Sequence, residues 1–284
     1  MSQDRAQLIP VLHNIATQLR IDSIRATTAA GSGHPTSCAS AADLVAALFF
    51  AEMRFDPLHP RHAHNDRFVL SKGHAAPLLY AAWSAVGLVP PGELLKLRQL
   101  DNDLEGHPTP RLSFVDVATG SLGQGLPAGL GIALNATRIK SDYRTYVLMG
   151  DGESAEGSVW EAAESGTHLG IDNLVCITDV NRLGQSRPTI WQHDLDALAR
   201  RWNGFGWHTM QIDGHDFTEI LDALAEARAT KGRPTMILAK TFKGRGVSFA
   251  EDKEGWHGRA FKAGDETDRA VPYASRVATS SPSL

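Results

Sequence analysis

Cysteine is almost missing from this chain: Cys38 and Cys176 are the two in 284 residues. So few exclude a disulfide framework. Cys176 sits inside the apolar run LVCITDV and reads as a small core residue, while nothing beside Cys38 would activate a thiolate. Long hydrophobic runs are missing too. No stretch approaches the roughly twenty apolar residues of a membrane-spanning helix, and residues 1–30 show a polar-rich amphipathic pattern instead of a secretory leader. Charge of one sign is also scarce, since 28 Lys and Arg face 32 Asp and Glu for a net charge of −4. That leaves no basic surplus to attract nucleic acid. No internal repeat is visible. The expectation is a cytoplasmic globular chain with neither nucleic acid nor membrane as partner, long enough to bury a substantial core.

Glycine and histidine are plentiful, with 26 and 12 residues. Helical periodicity runs from Leu8 to about Thr28 and from about Ser40 to Met53, with Pro35 in the loop between. Further helices are predicted near 76–88 and 91–100, and another opens in TGSLGQGLPAGLG and runs to about Lys140. From Tyr143 onward, strands near 145–149, 174–180, 207–212 and 235–239 alternate with helices near 156–169, 193–203 and 216–229. This rhythm predicts an α/β fold, a doubly wound parallel sheet with helices on both faces. Residues 1–264 read as one domain. Residues 265–284, rich in Ser, Thr, Ala and charge and without periodicity, read as a flexible C-terminal tail.

The densest information lies in residues 148–185. An apolar run ends in Gly150-Asp151-Gly152, a helical stretch follows, and a second apolar run closes on Asn181, thirty residues after Asp151. That is the spacing of a βαβ crossover, which sets the C-terminal ends of two parallel strands side by side. Asp151 and Asn181 then offer the hard oxygen ligands that Mg²⁺ prefers, and the glycines allow a diphosphate close to the backbone. GDG after a strand with Asn one crossover later is the pattern of thiamin diphosphate enzymes.

Histidine follows glycine at His34, His74, His107 and His215, and His257 lies in GWHG. None has the helical pairing of a zinc site. Proline or Ala-Ala-Pro stiffens the chain after His34, His74 and His107. Imidazoles fixed in this way suit proton movement among hydroxyls and carbonyls, although loop histidines also serve merely to satisfy nearby backbone groups.

The segments GSGHPTSCASAADLVAALFF, HNDRFVLSKGHAAPLLYA, DLEGHP, DVATGSLGQGL, GDGESAEGSVWEA, DVNRLGQS, FGWH, DGHD, KTFKGRG and EDKEGWHG resemble the N-terminal half of transketolases, in order, from about residue 10 to 260. The resemblance implies thiamin diphosphate as cofactor with Mg²⁺, replaceable by Ca²⁺ or Mn²⁺. It implies metal ligation by Asp151, Asn181 and the Leu183 carbonyl, and cofactor contacts from Ser37, His74, Gly120, Ser121, Leu122, Gly152, Asn181, Lys243 and His257. His34, His107 and His257 would line the sugar site and act on the donor's hydroxyls. Glu156 and Glu161 resemble acids that link the two cofactor sites of the family's dimer, and Glu156 is counted with the catalytic groups. Glu161 equally suits the start of a helix. Lys72 falls near the diphosphate, and His215 reads as structural.

The implied reaction moves a two-carbon ketol unit from a ketose phosphate to an aldose. The family's pyrimidine-binding part, with its activating glutamate, has no counterpart in these residues. The expectation is therefore the diphosphate-binding subunit of a split transketolase, active only with a separate pyrimidine-binding subunit in an α₂β₂ assembly. A branched or modified sugar phosphate is an alternative substrate. The α subunit of a 2-oxoacid dehydrogenase, a deoxyxylulose phosphate synthase relative and a non-catalytic cofactor-binding module are alternative functions. The glycine–histidine loops favour hydroxyl-rich ketoses over 2-oxoacids.

Overall fold

A computed structural model describes residues 5–277, with side chains as far as residue 271. Five parallel strands form the sheet: β1 (Arg67–Leu70), β2 (Thr145–Gly150), β3 (Leu174–Val180), β4 (His208–Asp213) and β5 (Thr235–Lys240). Their order is β1-β2-β3-β5-β4. Side chains alternate across the strands, so each strand feeds two cores. Tyr146, Leu148, Val175, Ile177 and Ile237 join one apolar cluster. Val147, Met149, Cys176, Met236 and Leu238 join the other.

The first cluster is covered by α1 (Arg5–Ala30), α2 (Pro35–Ala47), α3 (Ala76–Ala85) and α7 (Phe217–Ala229). The second lies under α4 (Gly125–Arg138), α5 (Gly157–His168) and α6 (Leu195–Gly204). Helices thus clothe both faces, and the doubly wound α/β reading holds. The local signals behind these helices are conventional. Asp194 caps α6 by accepting from the Ala197 amide, and Asp216 caps α7 through the amides of Thr218 and Glu219.

Three stretches differ from the sequence expectation. Helix α2 begins at Pro35, five residues before the predicted start at Ser40. Proline is well tolerated in the first turn, and all 13 residues of α2 are buried, so no polar stripe marks where the helix starts. Residues 91–100 form only a short 3₁₀ segment, Pro91–Lys96, ended by extended backbone at Leu97. The predicted tail is a helix over most of its length, α8 (Asp265–Val277). Asp265, Glu266 and Asp268 complement the positive end of its dipole. Ala270 is buried in a cluster with Ile24, Val247, Ala250 and Phe261, and the Thr267 hydroxyl bonds that of Thr28. Packing against α1 supplies what α8 lacks in sequence periodicity, and the packed unit continues past residue 264. The rest of the predicted tail, 278–284, lies outside the described residues.

Candidate functional site

The C-terminal ends of β1, β2, β3 and β5 release the chain on one side of the sheet, around a cavity of about 470 Å³. Its wall brings together His34, Lys72, His74, His107, Gly120, Leu122, Asp151, Gly152, Asn181, Leu183, Lys243 and His257. These come from eight separate stretches of sequence, and the parallel sheet is what makes them neighbours.

Adjacency of β2 and β3 sets Asp151 beside the Asn181 turn. The Asp151 carboxylate accepts from the Gly152 amide at 2.9 Å, from the Arg182 amide at 2.7 Å and from the Thr189 hydroxyl at 3.1 Å. Burial and the nearby Asp179 charge raise its pKa to about 6. Asn181 Nδ2 donates to Asp179 at 3.0 Å, which fixes the amide so that Oδ1 stays free to accept, here from the Leu183 amide at 3.2 Å. The Lys243 ammonium donates to the Leu183 carbonyl at 2.9 Å and to His257 Nδ1 at 2.7 Å. A cation thus already rests on one of the three expected metal ligands.

The donors are a carboxylate, an amide oxygen and a carbonyl, a set suited to Mg²⁺ or Ca²⁺ and unsuited to softer metals. Among the described residues no cluster of three His, Cys, Asp or Glu offers a competing metal site. These residues therefore fit a hard divalent ion. The fit to a polar ligand is equally direct at the first turn of α2. His34 Nδ1 and Ser37 Oγ are buried there without a hydrogen-bond partner, and such orphaned atoms call for an explanation.

His34, His74 and His257 form a triangle with ring centroids 4.9 to 5.3 Å apart. Burial, followed by the His107 and Arg98 charges, lowers His34 to about 4. Burial and the Lys243 charge lower His257 to about 3, and burial with Lys72 holds His74 well below its ordinary value. His107 is lowered by burial and Arg98. Four neutral imidazoles therefore line the cavity at neutral pH. Lys243 is itself lowered to about 8 by burial and Lys72.

The lowered values give a stability prediction. Between the ordinary histidine pKa and about 4, the unfolded chain binds protons that folded His34 refuses. Stability is complete above the ordinary value and falls as pH drops through this window. Thermal melts of the cofactor-free chain should therefore shift down between about pH 7 and about pH 5, and His34→Gln should flatten that slope. An equal slope in the variant would remove His34 from the account.

Gly120 must be glycine. Its φ is +138°, and a Cβ would meet His107 Cδ2 at 2.8 Å. Gly120 and Leu122 line the cavity, whereas Ser121 is exposed between them and is not among the lining residues. Glu156 precedes the first turn of α5 and Glu161 lies one turn further on. Both are exposed and neither lines this cavity. His215 is part of a buried lock: the Phe242 amide donates to its Nε2 at 3.0 Å, so Nδ1 carries the proton toward Asp43, which also pairs with Arg20.

Two acids that the sequence reading passed over organise the floor. Buried Glu153 accepts from the amides of Gly123 (2.9 Å) and Gly150 (3.2 Å) and from the Ser71 hydroxyl, joining three loops. Fully buried Asp179 pairs with Lys72 and accepts from the hydroxyls of Ser40 (2.7 Å) and Thr241. A charged residue inside an otherwise apolar strand, LVCITDV, was the available signal for Asp179. Glu153 had only its place directly after GDG.

Residues 11–272 match the family described as "Transketolase, thiamine diphosphate binding domain". Transketolase of Mus musculus is 56% identical over 254 residues, 89% of this chain and 40% of that protein. Transketolase-like protein 1 of Bos taurus is 42% identical over 255 residues, 89% of this chain and 36% of the relative. The structure of Campylobacter jejuni transketolase superposes with a TM-score of 0.85 at 29% identity, over 96% of this chain and 43% of that one. Pichia stipitis transketolase in complex with sedoheptulose 7-phosphate superposes with a TM-score of 0.85 at 31% identity, over 95% of this chain and 45% of its own. The chain spans about two fifths of the length of these curated relatives.

Proposed function

The chain belongs to the transketolase family, matching its thiamine diphosphate binding domain, and from that premise we propose that it anchors the diphosphate and metal of thiamin diphosphate in a transferase moving a two-carbon ketol unit. The observation that carries this reading is the meeting of Asp151, Asn181 and the Leu183 carbonyl beside Lys243 and His257 in one cavity.

In this reading Asp151, Asn181 Oδ1 and the Leu183 carbonyl hold Mg²⁺, with Ca²⁺ or Mn²⁺ able to substitute. The Lys243 ammonium gives up the Leu183 carbonyl and, with His257, becomes a charge-assisted donor to diphosphate oxygens. Ser37 Oγ, His74, the Gly152 amide and the Gly120-Ser121-Leu122 turn complete the cofactor contacts. When bound, the cofactor supplies the nucleophilic carbon and the electron sink for carbon–carbon cleavage. The chain's own work is proton handling. His34, His107 and His257, neutral and directed by their loops, accept the proton of the donor's C3 hydroxyl and donate a hydrogen bond to its C2 oxygen. Glu156 and Glu161 contribute where a second copy meets the exposed face of α5.

Donors are ketose phosphates, as the sugar phosphates bound in the Pichia stipitis transketolase structures support, and a branched or modified sugar phosphate remains within the same chemistry. The pyrimidine side, with its activating glutamate, is proposed to come from a separate subunit in an α₂β₂ assembly. The lengths of the relatives support a further part outside these residues. Offering a ketose phosphate and a 2-oxoacid to the assembled enzyme tests the reading. Preference for the 2-oxoacid would move the chain to another class of thiamin enzyme.

His107→Ala separates substrate from cofactor roles. The imidazole lines the cavity and is assigned to the sugar, so its loss should lower kcat/KM for the ketose by about 2–4 kcal/mol of transition-state stabilisation with little change in cofactor affinity. Parallel losses in both would place His107 in the cofactor shell.

A further inference from the structure

Arg182 stands between Asn181 and Leu183, and Asp252 stands in the segment between Lys243 and His257. Both adopt left-handed backbones, with φ of +62° and +55°. Non-glycine residues hold that conformation at a cost, usually where surrounding contacts enforce it. The contacts here are mutual. Arg182 Nε donates to Asp252 Oδ1 at 2.6 Å and Arg182 Nη2 to the Asp252 carbonyl at 3.0 Å. The Arg182 amide meanwhile donates to Asp151, and the Asp252 amide donates to the Lys243 carbonyl at 2.8 Å. A single ion pair therefore reaches Asp151 on one side and Lys243 on the other.

The far end of this segment has other restraints, none of them to the 181–183 turn except through Lys243: Trp256 packs with Phe249 and Phe261, and the His257 ring lies against His34 and His74. The Thr36 hydroxyl holds the Trp256 carbonyl at 3.1 Å, and Lys243 holds the His257 ring. Lys253, Glu254 and Gly255 are exposed. Without the pair, the corner at residue 252 would have no side-chain bond to the turn that carries Asn181 and Leu183.

We propose that Arg182 and Asp252 are positioning residues that lock the segment bearing Lys243 and His257 onto the 181–183 turn, so that diphosphate donors and metal ligands form one preassembled face. In naming the bound group a diphosphate, the proposal rests on the functional reading above. Preassembly matters because ordering a loop at the moment of binding subtracts from affinity.

The side chains are 25% and 34% exposed, so substitution does not open a core. Asp252→Asn keeps a residue that tolerates the left-handed backbone and removes the charge. In the full chain, hydrogen exchange of amides 243–258 should become about fivefold faster while the melting temperature holds. In the assembled enzyme, the KM for thiamin diphosphate with Mg²⁺ should rise about fivefold with kcat at saturation unchanged, the scale of a coupled pair. The charge-swapped double variant Arg182→Asp/Asp252→Arg should recover part of both. Unchanged exchange overturns the pair as a lock, and faster exchange with parental cofactor affinity overturns its positioning role. If the parent enzyme takes up no Mg²⁺–thiamin diphosphate, the functional reading fails, and the exchange experiment alone then decides whether the lock exists.

Discussion

Asp151→Ala is expected to abolish Mg²⁺-dependent retention of thiamin diphosphate in the assembled enzyme while the fold survives. The carboxylate is the one charged oxygen in the proposed ligand set, next to a neutral amide and a carbonyl. Replacing it removes the strongest electrostatic attraction for a divalent ion. Loss of a group that merely orients a metal ligand already costs about 10–100-fold in affinity, so loss of the charged ligand should exceed that range. Folding is spared because Asp151 sits at the strand end beside the cavity, where water can reach the amides of Gly152 and Arg182 left behind. Removing a carboxylate whose pKa burial already raises also relieves a desolvation cost. Calorimetric titration of the cofactor with and without Mg²⁺ reads the effect. Unchanged affinity would strip Asp151 of the ligand role.

The second large effect concerns the chain by itself, which is expected to show no ketol transfer until a pyrimidine-binding partner is added. Thiamin diphosphate needs an anchor for its diphosphate and an acid against its aminopyrimidine ring, and in the proposed reading this cavity supplies the anchor. Its surroundings look like a surface meant to be covered. Leu122, Ile190 and Trp191 are 41%, 81% and 40% exposed, and the latter two border a groove that shares Asp151 and Gly152 with the site. These exposed apolar side chains fit the proposed contact with a partner. The measurement is glyceraldehyde 3-phosphate release from xylulose 5-phosphate, by the chain alone and with its partner, with particle mass from light scattering. Robust turnover by the isolated chain would mean that the catalytic acid lies within these 284 residues. A mass that stays at one chain with the partner present would remove the α₂β₂ arrangement.

Much of the fold was legible because its strands end in punctuation. GDG closes β2, Asn181 follows β3, and Lys243 follows β5, so these three strands could be bounded and the crossover spacing read directly, whereas the four-residue β1 was too short to announce itself. Parallel pairing then did what no single motif could, bringing His34, His74 and His257 into a triangle from positions far apart in sequence. The reading was weakest where local pattern is silent. Helix α2 is buried on every side and shows no polar edge. Helix α8 is held by tertiary contact with α1 rather than by propensity. Glu153 and Asp179 look like a helix-start acid and an odd residue in a strand, and only the structure shows the loops they tie together. Side-chain bonds across long sequence separations leave no periodic trace.

Helix α2 has one more implication, for how such a site can be retuned. Its N-terminal end sets His34 in the cavity wall with Ser37 buried just behind, while its remaining length is embedded among α1, α3 and the sheet. A volume change beneath this helix would be passed along it to His34, since packed interiors do not absorb such changes locally. Elsewhere the wall includes Leu122 and Gln185, exposed positions of the 119–123 and 181–189 loops that can change without repacking anything beneath them. Adaptation to a new sugar therefore has an inexpensive side and a costly one. Altered donor preference should arise first in those loops, with α2 held as the fixed reference against which they are measured.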